Sequence, residues 1–405
     1  MGHSLRPRFA LVLAAAAGVV CLLATTAAAV PRVLTALAAS SDTCGPDQAL
    51  SHTFPAGTSW DLCWSTGQEG LILRRVRFTG RDGARHLVLN QASLAEMLVS
   101  YDDGSAFDLD VAGYGFDHFL PQRHRDCPSG DVLAEGTGPG ILCSATTTRA
   151  PALRTDDVSA TGQDLQLSVV SEAAWYKYVS RYTLSDDGTI RPEIGATGTL
   201  SPYLSDDTST GWRIGKDPHQ VATAHTHAAY WRLDFDVDGR PDHQATQQID
   251  QIDSPDTGTS VRPLTITPVT TETATRAANS RMWAVTATGE TSANGRHPSW
   301  QLRLDGLDHY TGPRDSQAYT AEDIYFTQFH DCERFIDANY ANDCARSLDT
   351  YLNAEHLTHP VVWARVDFHH IPRQEDAPAM STHWQGFTIA PRDLFGANPI
   401  TPRHH

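Results

Sequence analysis

The chain has 405 residues, with 31 Lys and Arg against 48 Asp and Glu, for a formal charge of −17. Its 40% hydrophobic residues, including nine Trp, twelve Tyr and thirteen Phe, suffice for a sizeable core and exclude global disorder. The acid excess excludes a protein that works by neutralising nucleic-acid phosphates.

At the amino terminus Arg6 and Arg8 precede an Ala-rich apolar stretch from Phe9 to Val30, followed by small-residue sites at Ala27-Ala28-Ala29 and Ala36-Leu37-Ala38. This layout predicts a secretory signal peptide over residues 1–38 and one domain over 39–405. The competing reading is an uncleaved membrane anchor, since the run is long enough to span a bilayer. Cleavage removes three Arg and no acid, so the mature charge becomes −20. It also removes Cys21 and leaves six cysteines in three local pairs, predicting disulfides 44–63, 127–143 and 332–344. A zinc site is the alternative, but no pair has the short Cys-x-x-Cys spacing such sites favour.

Strand signals dominate the rest of the chain. Leu71–Phe78, Tyr178–Leu184, Trp231–Val237 and Trp300–Leu304 alternate or run apolar with β-branched and aromatic residues. Turn clusters separate them, among them Asp187-Gly188, Asp238-Gly239 and Asn294-Gly295. Helix is scarce: Ser93–Val99 is expected to form one short turn, and Ala321–Tyr340 one or two segments. The Thr-rich stretch from Thr265 to Thr275 reads as an exposed arm. The fold class this predicts is mainly β, a large antiparallel β-sandwich with few short helices.

Three features carry chemistry. His225-Thr226-His227 runs into a strand, where residues i and i+2 project to one face, so both imidazoles can reach one metal ion. Neutral imidazole suits copper or zinc. His370, in His370-Ile371-Pro372-Arg373-Gln374-Glu375-Asp376, can complete a three-histidine site with an open position. The third feature is Trp175-Tyr176-Lys177-Tyr178, leading through a strand to Asp187-Gly188. Taken singly, each also reads as ordinary strand: nineteen histidines make chance His-x-His pairs common, and aromatic strands usually pack a core.

In this order and spacing the features resemble the catalytic domain of the copper amine oxidases, over roughly residues 54–399. A tyrosine stands twelve residues before Gly188, then come His-x-His with Arg232-Leu233-Asp234-Phe235-Asp236-Val237-Asp238-Gly239, the His370 motif, and Gly386-Phe387 onward to Asn398-Pro399. The resemblance implies copper ligation by His225, His227 and His370, and conversion of Tyr176 to topaquinone, which captures a primary amine as a Schiff base. It implies a homodimer that turns primary amine and dioxygen into aldehyde, ammonia and hydrogen peroxide, here a secreted one by the signal layout above. Asp108 falls on the family's proton acceptor, nineteen residues before Cys127; counting back from Gly113-Tyr114-Gly115 selects Asp110 instead. Tyr101 falls on a tyrosine that hydrogen-bonds the quinone, although the loop from Tyr101 to Asp108 is shorter than the family's. Asp234 and Asp236 fall on a peripheral calcium site, weakened here because His359 replaces the partner aspartate. Trp175 and Lys177 depart from the family's Asn and acid beside the quinone tyrosine. The alternative function is a non-catalytic extracellular copper-binding relative.

Overall fold

A computed structural model describes residues 44–109, 116–217, 219–251, 262–278, 280–306, 317–337 and 344–401, with the side chains of 106–109 excluded. The expected signal peptide and Asp110 lie outside the described residues. Two antiparallel sheets pack face to face. In the first, the strands run in the order Gln48–Thr53, Ser59–Gly67, Gly70–Thr79, Arg85–Tyr101, His225–Phe235, Pro360–His370, Ile324–Gln328 and Thr273–Thr275. In the second, the order is Leu264–Val269, Gln244–Gln251, Arg281–Ala287, Ser299–Leu304, Met380–Arg392, Ile190–Gly198, Tyr176–Ser185, Ser159–Ala173, Gly140–Arg154 and Gly130–Ala134. Three of the four strands expected from the sequence fall within these elements; the fourth, Trp231–Val237, ends two residues early at Phe235, where Val237 opens a 3-10 turn, and the sandwich is the one expected.

Large aromatic side chains fill the space between the sheets. Trp231 of the first sheet meets Tyr182 and Phe387 of the second, at ring-centroid distances of 5.3 and 6.1 Å. Trp60 lies 6.5 Å from Trp300 and donates its indole N–H to the Ser185 carbonyl at 2.9 Å, so this buried polar atom is satisfied across the interface. Glycine has a specific duty at Gly188, whose φ of 92° closes the hairpin after Tyr176–Ser185 and whose Cα faces Phe78 and Pro391 too closely for a Cβ.

The first sheet is also covered on its outer face. Ala95, Leu98, Ala228, Tyr230, Tyr325 and Trp363 are buried there beneath Tyr319, Ile336, Leu348 and Tyr351. Every residue of His225–Phe235 is consequently buried. Double coverage also corrects the expected short helical turn at Ser93–Val99, which lies inside the Arg85–Tyr101 strand. A strand buried on both sides loses its period-two alternation, and its apolar run then imitates a helix. The helix expected within 321–340 is likewise corrected: Ile324–Gln328 is a strand, and the short α-helix stands later, at Leu348–Tyr351.

The disulfides 44–63, 127–143 and 332–344 all form. The Thr-rich stretch expected to be an exposed arm is divided between two edge strands, Leu264–Val269 of the second sheet, with Leu264 and Ile266 exposed, and Thr273–Thr275 of the first.

Candidate metal centre

Register builds the site. His225 pairs with Tyr101 on one side and His370 on the other, while His227 pairs with Val99 and Phe368. All three histidines are buried and face the second sheet. From that sheet Tyr176 and Tyr178, two residues apart on one strand, reach across. The Tyr176 hydroxyl lies 2.6 Å from His225 Nε2 and the Tyr178 hydroxyl 3.0 Å from His227 Nδ1.

Hydrogen bonding fixes two of the tautomers. His225 Nδ1 lies 3.0 Å from the Thr223 carbonyl, which can only accept, so the proton sits on Nδ1 and Nε2 presents its lone pair. His370 Nε2 lies 3.1 Å from Asp376 Oδ2, so its proton sits on Nε2 and the lone pair on Nδ1. These two lone-pair nitrogens face one another at 3.4 Å. That is about the separation, roughly 3.4 Å, of two nitrogens bound to one tetrahedral ion at ~2.0–2.1 Å. His227 Nε2 is buried with no hydrogen-bond partner among the described residues, although its Nδ1 is held by Tyr178. Two imidazoles thus present nitrogens at a metal-ligand separation, and His227 brings a third from the same strand face, a donor type that suits copper or zinc. The residue types present fit a metal ion, with the His227 nitrogen having to close on the other two.

Electrostatics prepare the same groups. Burial lowers the His225 pKa to about 3, and burial with the neighbouring imidazoles drives His227 well below its ordinary value. Burial lowers His370 too, against the pull of Asp376. All three are neutral at neutral pH, as a metal requires. Burial pushes the Asp376 carboxyl up, but the Arg373 amide and the His370 imidazole outweigh it and hold it below the usual range. Burial raises the Tyr176 phenol well above its ordinary value.

One consequence concerns the metal-free protein. A histidine whose folded pKa is depressed contributes stability above its unfolded pKa and loses it as pH falls toward the folded value. For His225 that window runs from 6.5 down to about 3. The urea midpoint of metal-free protein is expected to fall steadily between pH 7 and pH 4; a midpoint unchanged across that range contradicts the assignment.

The other expected site residues divide. Tyr101 joins the centre, its ring 4.7 Å from that of His225, and burial pushes its phenol up to about 12 against hydrogen bonding from Trp175 and Ser201. Asp108 lies in the short strand Ala106–Leu109, where its backbone pairs with Leu98. Val99 and Tyr101, one step out of phase with Leu98, are the partners of His227 and His225. Lys177 is turned away from the centre: Tyr176 and Tyr178 are buried, whereas Lys177 on the other face forms an ion pair with Glu172. Trp175 packs edge-on to Tyr203 at 5.8 Å.

At the periphery, Asp234 holds His359 Nε2 and Asn90 Nδ2, each at 2.8 Å. Asp236 Oδ1 is buried without a hydrogen-bond partner among the described residues, and burial beside Asp234 pushes that carboxyl up to about 6.

Two contributors were not assigned from sequence. Tyr178 could have been found by extending the two-residue strand period from Tyr176. Asp376 stood within the His370 motif, where a carboxylate after a ligand histidine is the usual orienting partner.

Residues 146–403 match the family model for the copper amine oxidase enzyme domain. A primary amine oxidase of Klebsiella aerogenes is 27% identical over 82% of this chain and 50% of its own length. A primary amine oxidase of Arthrobacter sp. (strain P1) is 24% identical over 86% of this chain and 62% of its own. The chain thus spans roughly half to three-fifths of these relatives. Among solved structures, an Aspergillus nidulans amine oxidase superposes with a TM-score of 0.71 at 19% identity, over 85% of this chain and 52% of that one. A Hansenula polymorpha copper-containing benzylamine oxidase gives 0.68 at 20% identity, over 85% and 60%. The extent of the family match, on a sandwich of the same fold, places this chain in the copper amine oxidase family.

Proposed function

We propose that the chain is a secreted copper- and topaquinone-dependent primary amine oxidase, releasing aldehyde, ammonia and hydrogen peroxide from a primary amine and dioxygen. The observation that carries this reading is the Tyr176 hydroxyl at 2.6 Å from the lone-pair nitrogen of His225, beside two more histidines with lone pairs to offer. His225, His227 and His370 would hold copper. Copper would supply oxidation of the Tyr176 ring by dioxygen, giving a quinone carbonyl that captures the amine and accepts its electrons.

The surrounding residues have separable tasks. Thr223, Tyr178 and Asp376 orient the three imidazoles, and Tyr101 packs against His225. The interface buries Tyr176 and excludes bulk water from its ring. We assign proton abstraction from the substrate carbon to Asp108 on the family resemblance, against a backbone register one step out of phase with the partners of His225 and His227, with Asp110 as its competitor.

Calcium, if bound at Asp234 and Asp236, competes with His359 and Asn90 for the Asp234 oxygens and is held weakly. Homodimerisation through the Leu264–Val269 edge is part of the same proposal, supported by the exposed Leu264 and Ile266. Export rests on the Arg6 to Ala38 layout.

One observation favours the non-catalytic alternative. Trp175, where the family has Asn, is bulky and interacts with Tyr101, the residue expected to hold the quinone. A phenylhydrazine titration of copper-loaded, aerated protein separates the two. An absorbing adduct that disappears in Tyr176→Phe is expected. Asp108→Asn should keep the adduct and lose amine turnover, while Asp110→Asn keeps both. Copper bound without any adduct sinks the oxidase reading and leaves the copper-binding relative.

A further inference from the structure

His383 has no role in the three-histidine centre, yet it stands beside it. On the Met380–Arg392 strand it pairs with Ala196, which in turn pairs with Tyr178. In-register neighbours share a sheet face, so His383 faces the first sheet as Tyr178 does. The small Ala196 side chain leaves the imidazole room to cross. Its ring lies 4.7 Å from that of His370 and 5.8 Å from that of Phe368. Its Nε2 is buried and has no hydrogen-bond partner among the described residues.

We propose that His383, Asp376 and the Nε2 edge of His370 form a second cation position, joined to the three-histidine centre through the His370 ring. Ligand atoms of these three residues already lie within 4.8 Å of one another. Bound at ~2.0–2.2 Å, such atoms stand no more than about 4.4 Å apart, so a small closure completes the set. Two imidazole nitrogens and a carboxylate suit Zn(II) or Cu(II) over Mg(II) or Ca(II).

His370 makes the link chemically specific. Its Nδ1 faces His225 and its Nε2 faces Asp376, so its two nitrogens point at two different positions. Occupying both requires the Nε2 proton to leave for solvent, after which the ring bridges two ions as an imidazolate. The Asp376 carboxylate stays ionised and offsets part of the added positive charge. His383 supplies a nitrogen whose alternative is to stay buried without a hydrogen-bond partner among the described residues.

The test is a metal titration of the stripped full-length chain, which needs no turnover. Wild type is expected to bind two Cu(II) per chain, and the electron paramagnetic resonance signal should rise over the first equivalent and fall over the second as the two ions couple through His370. His383→Gln should bind one Cu(II), with an uncoupled signal equal to that of the first equivalent. Wild type that binds one ion overturns the second position and leaves the copper centre standing. Two ions retained by His383→Gln overturn it as well, because the second ion then lies elsewhere. Wild type that binds none overturns both. The wild-type titration decides the matter even where the variant fails to fold.

Discussion

Replacing His225 with alanine is expected to lower copper affinity by more than about a hundredfold and to abolish the phenylhydrazine adduct. His225 is the hinge of the centre: its Nε2 meets both the Tyr176 hydroxyl at 2.6 Å and His370 Nδ1 at 3.4 Å. Losing an orienting partner of a metal ligand typically costs about 10–100-fold in affinity, and losing a ligand costs more. Tyr178→Phe supplies the graded comparison, because it removes the bond that holds His227 Nδ1 while leaving the ligand in place. It should fall within that 10–100-fold range and still form the adduct once enough copper is added. Competition against a chelator of known affinity measures both variants. Equal losses in the two would mean that His225 acts by packing rather than by binding. An unchanged His225→Ala would remove the copper centre altogether.

The difference between these two residues also marks how far the sequence reaches. Period two puts His225 and His227 on one strand face, but the roles of His370 and Tyr176 were legible only through the resemblance that the ordered set of motifs carries. The local cysteine spacing was enough for the three disulfides. Tyr178 was harder, since Trp175-Tyr176-Lys177-Tyr178 reads equally well as core aromatics until register sets the Tyr178 hydroxyl against His227. His383 carries no local signal at all. It is one of nineteen histidines, and its place depends on pairing with Ala196 from a strand about 190 residues away. Ser93–Val99 failed for a related reason. What buries its outer face arrives from beyond residue 317, so no window around Ser93 contains the cause.

The outer face that hid that strand also carries the second large effect. Asp323→Ala is expected to destabilise the protein by about 3–5 kcal/mol, the usual cost of stripping one partner from a buried ion pair. Arg365 is 3% exposed, so its charge depends on its neighbours rather than on water. Asp323 Oδ1 lies 2.7 Å from Arg365 Nη2, and Asp367 Oδ2 lies 3.1 Å from Arg365 Nε. Burial opposes the Arg365 charge, and Tyr230, Asp367 and Asp323 more than restore it. Asp323 also accepts the Ala277 amide at 2.7 Å, and its carbonyl accepts the Arg365 amide at 2.8 Å. Alanine keeps the carbonyl bond and loses both carboxylate contacts. Because Arg365 and His370 share the Pro360–His370 strand, the same substitution should loosen the metal centre as well as the core. Urea unfolding of the metal-free protein reads the first effect, and copper affinity the second. A midpoint shift worth less than about 1 kcal/mol would mean that Asp367 alone compensates the guanidinium. Lost stability with unchanged copper affinity would mean that the strand holds His370 in register without help from its outer face.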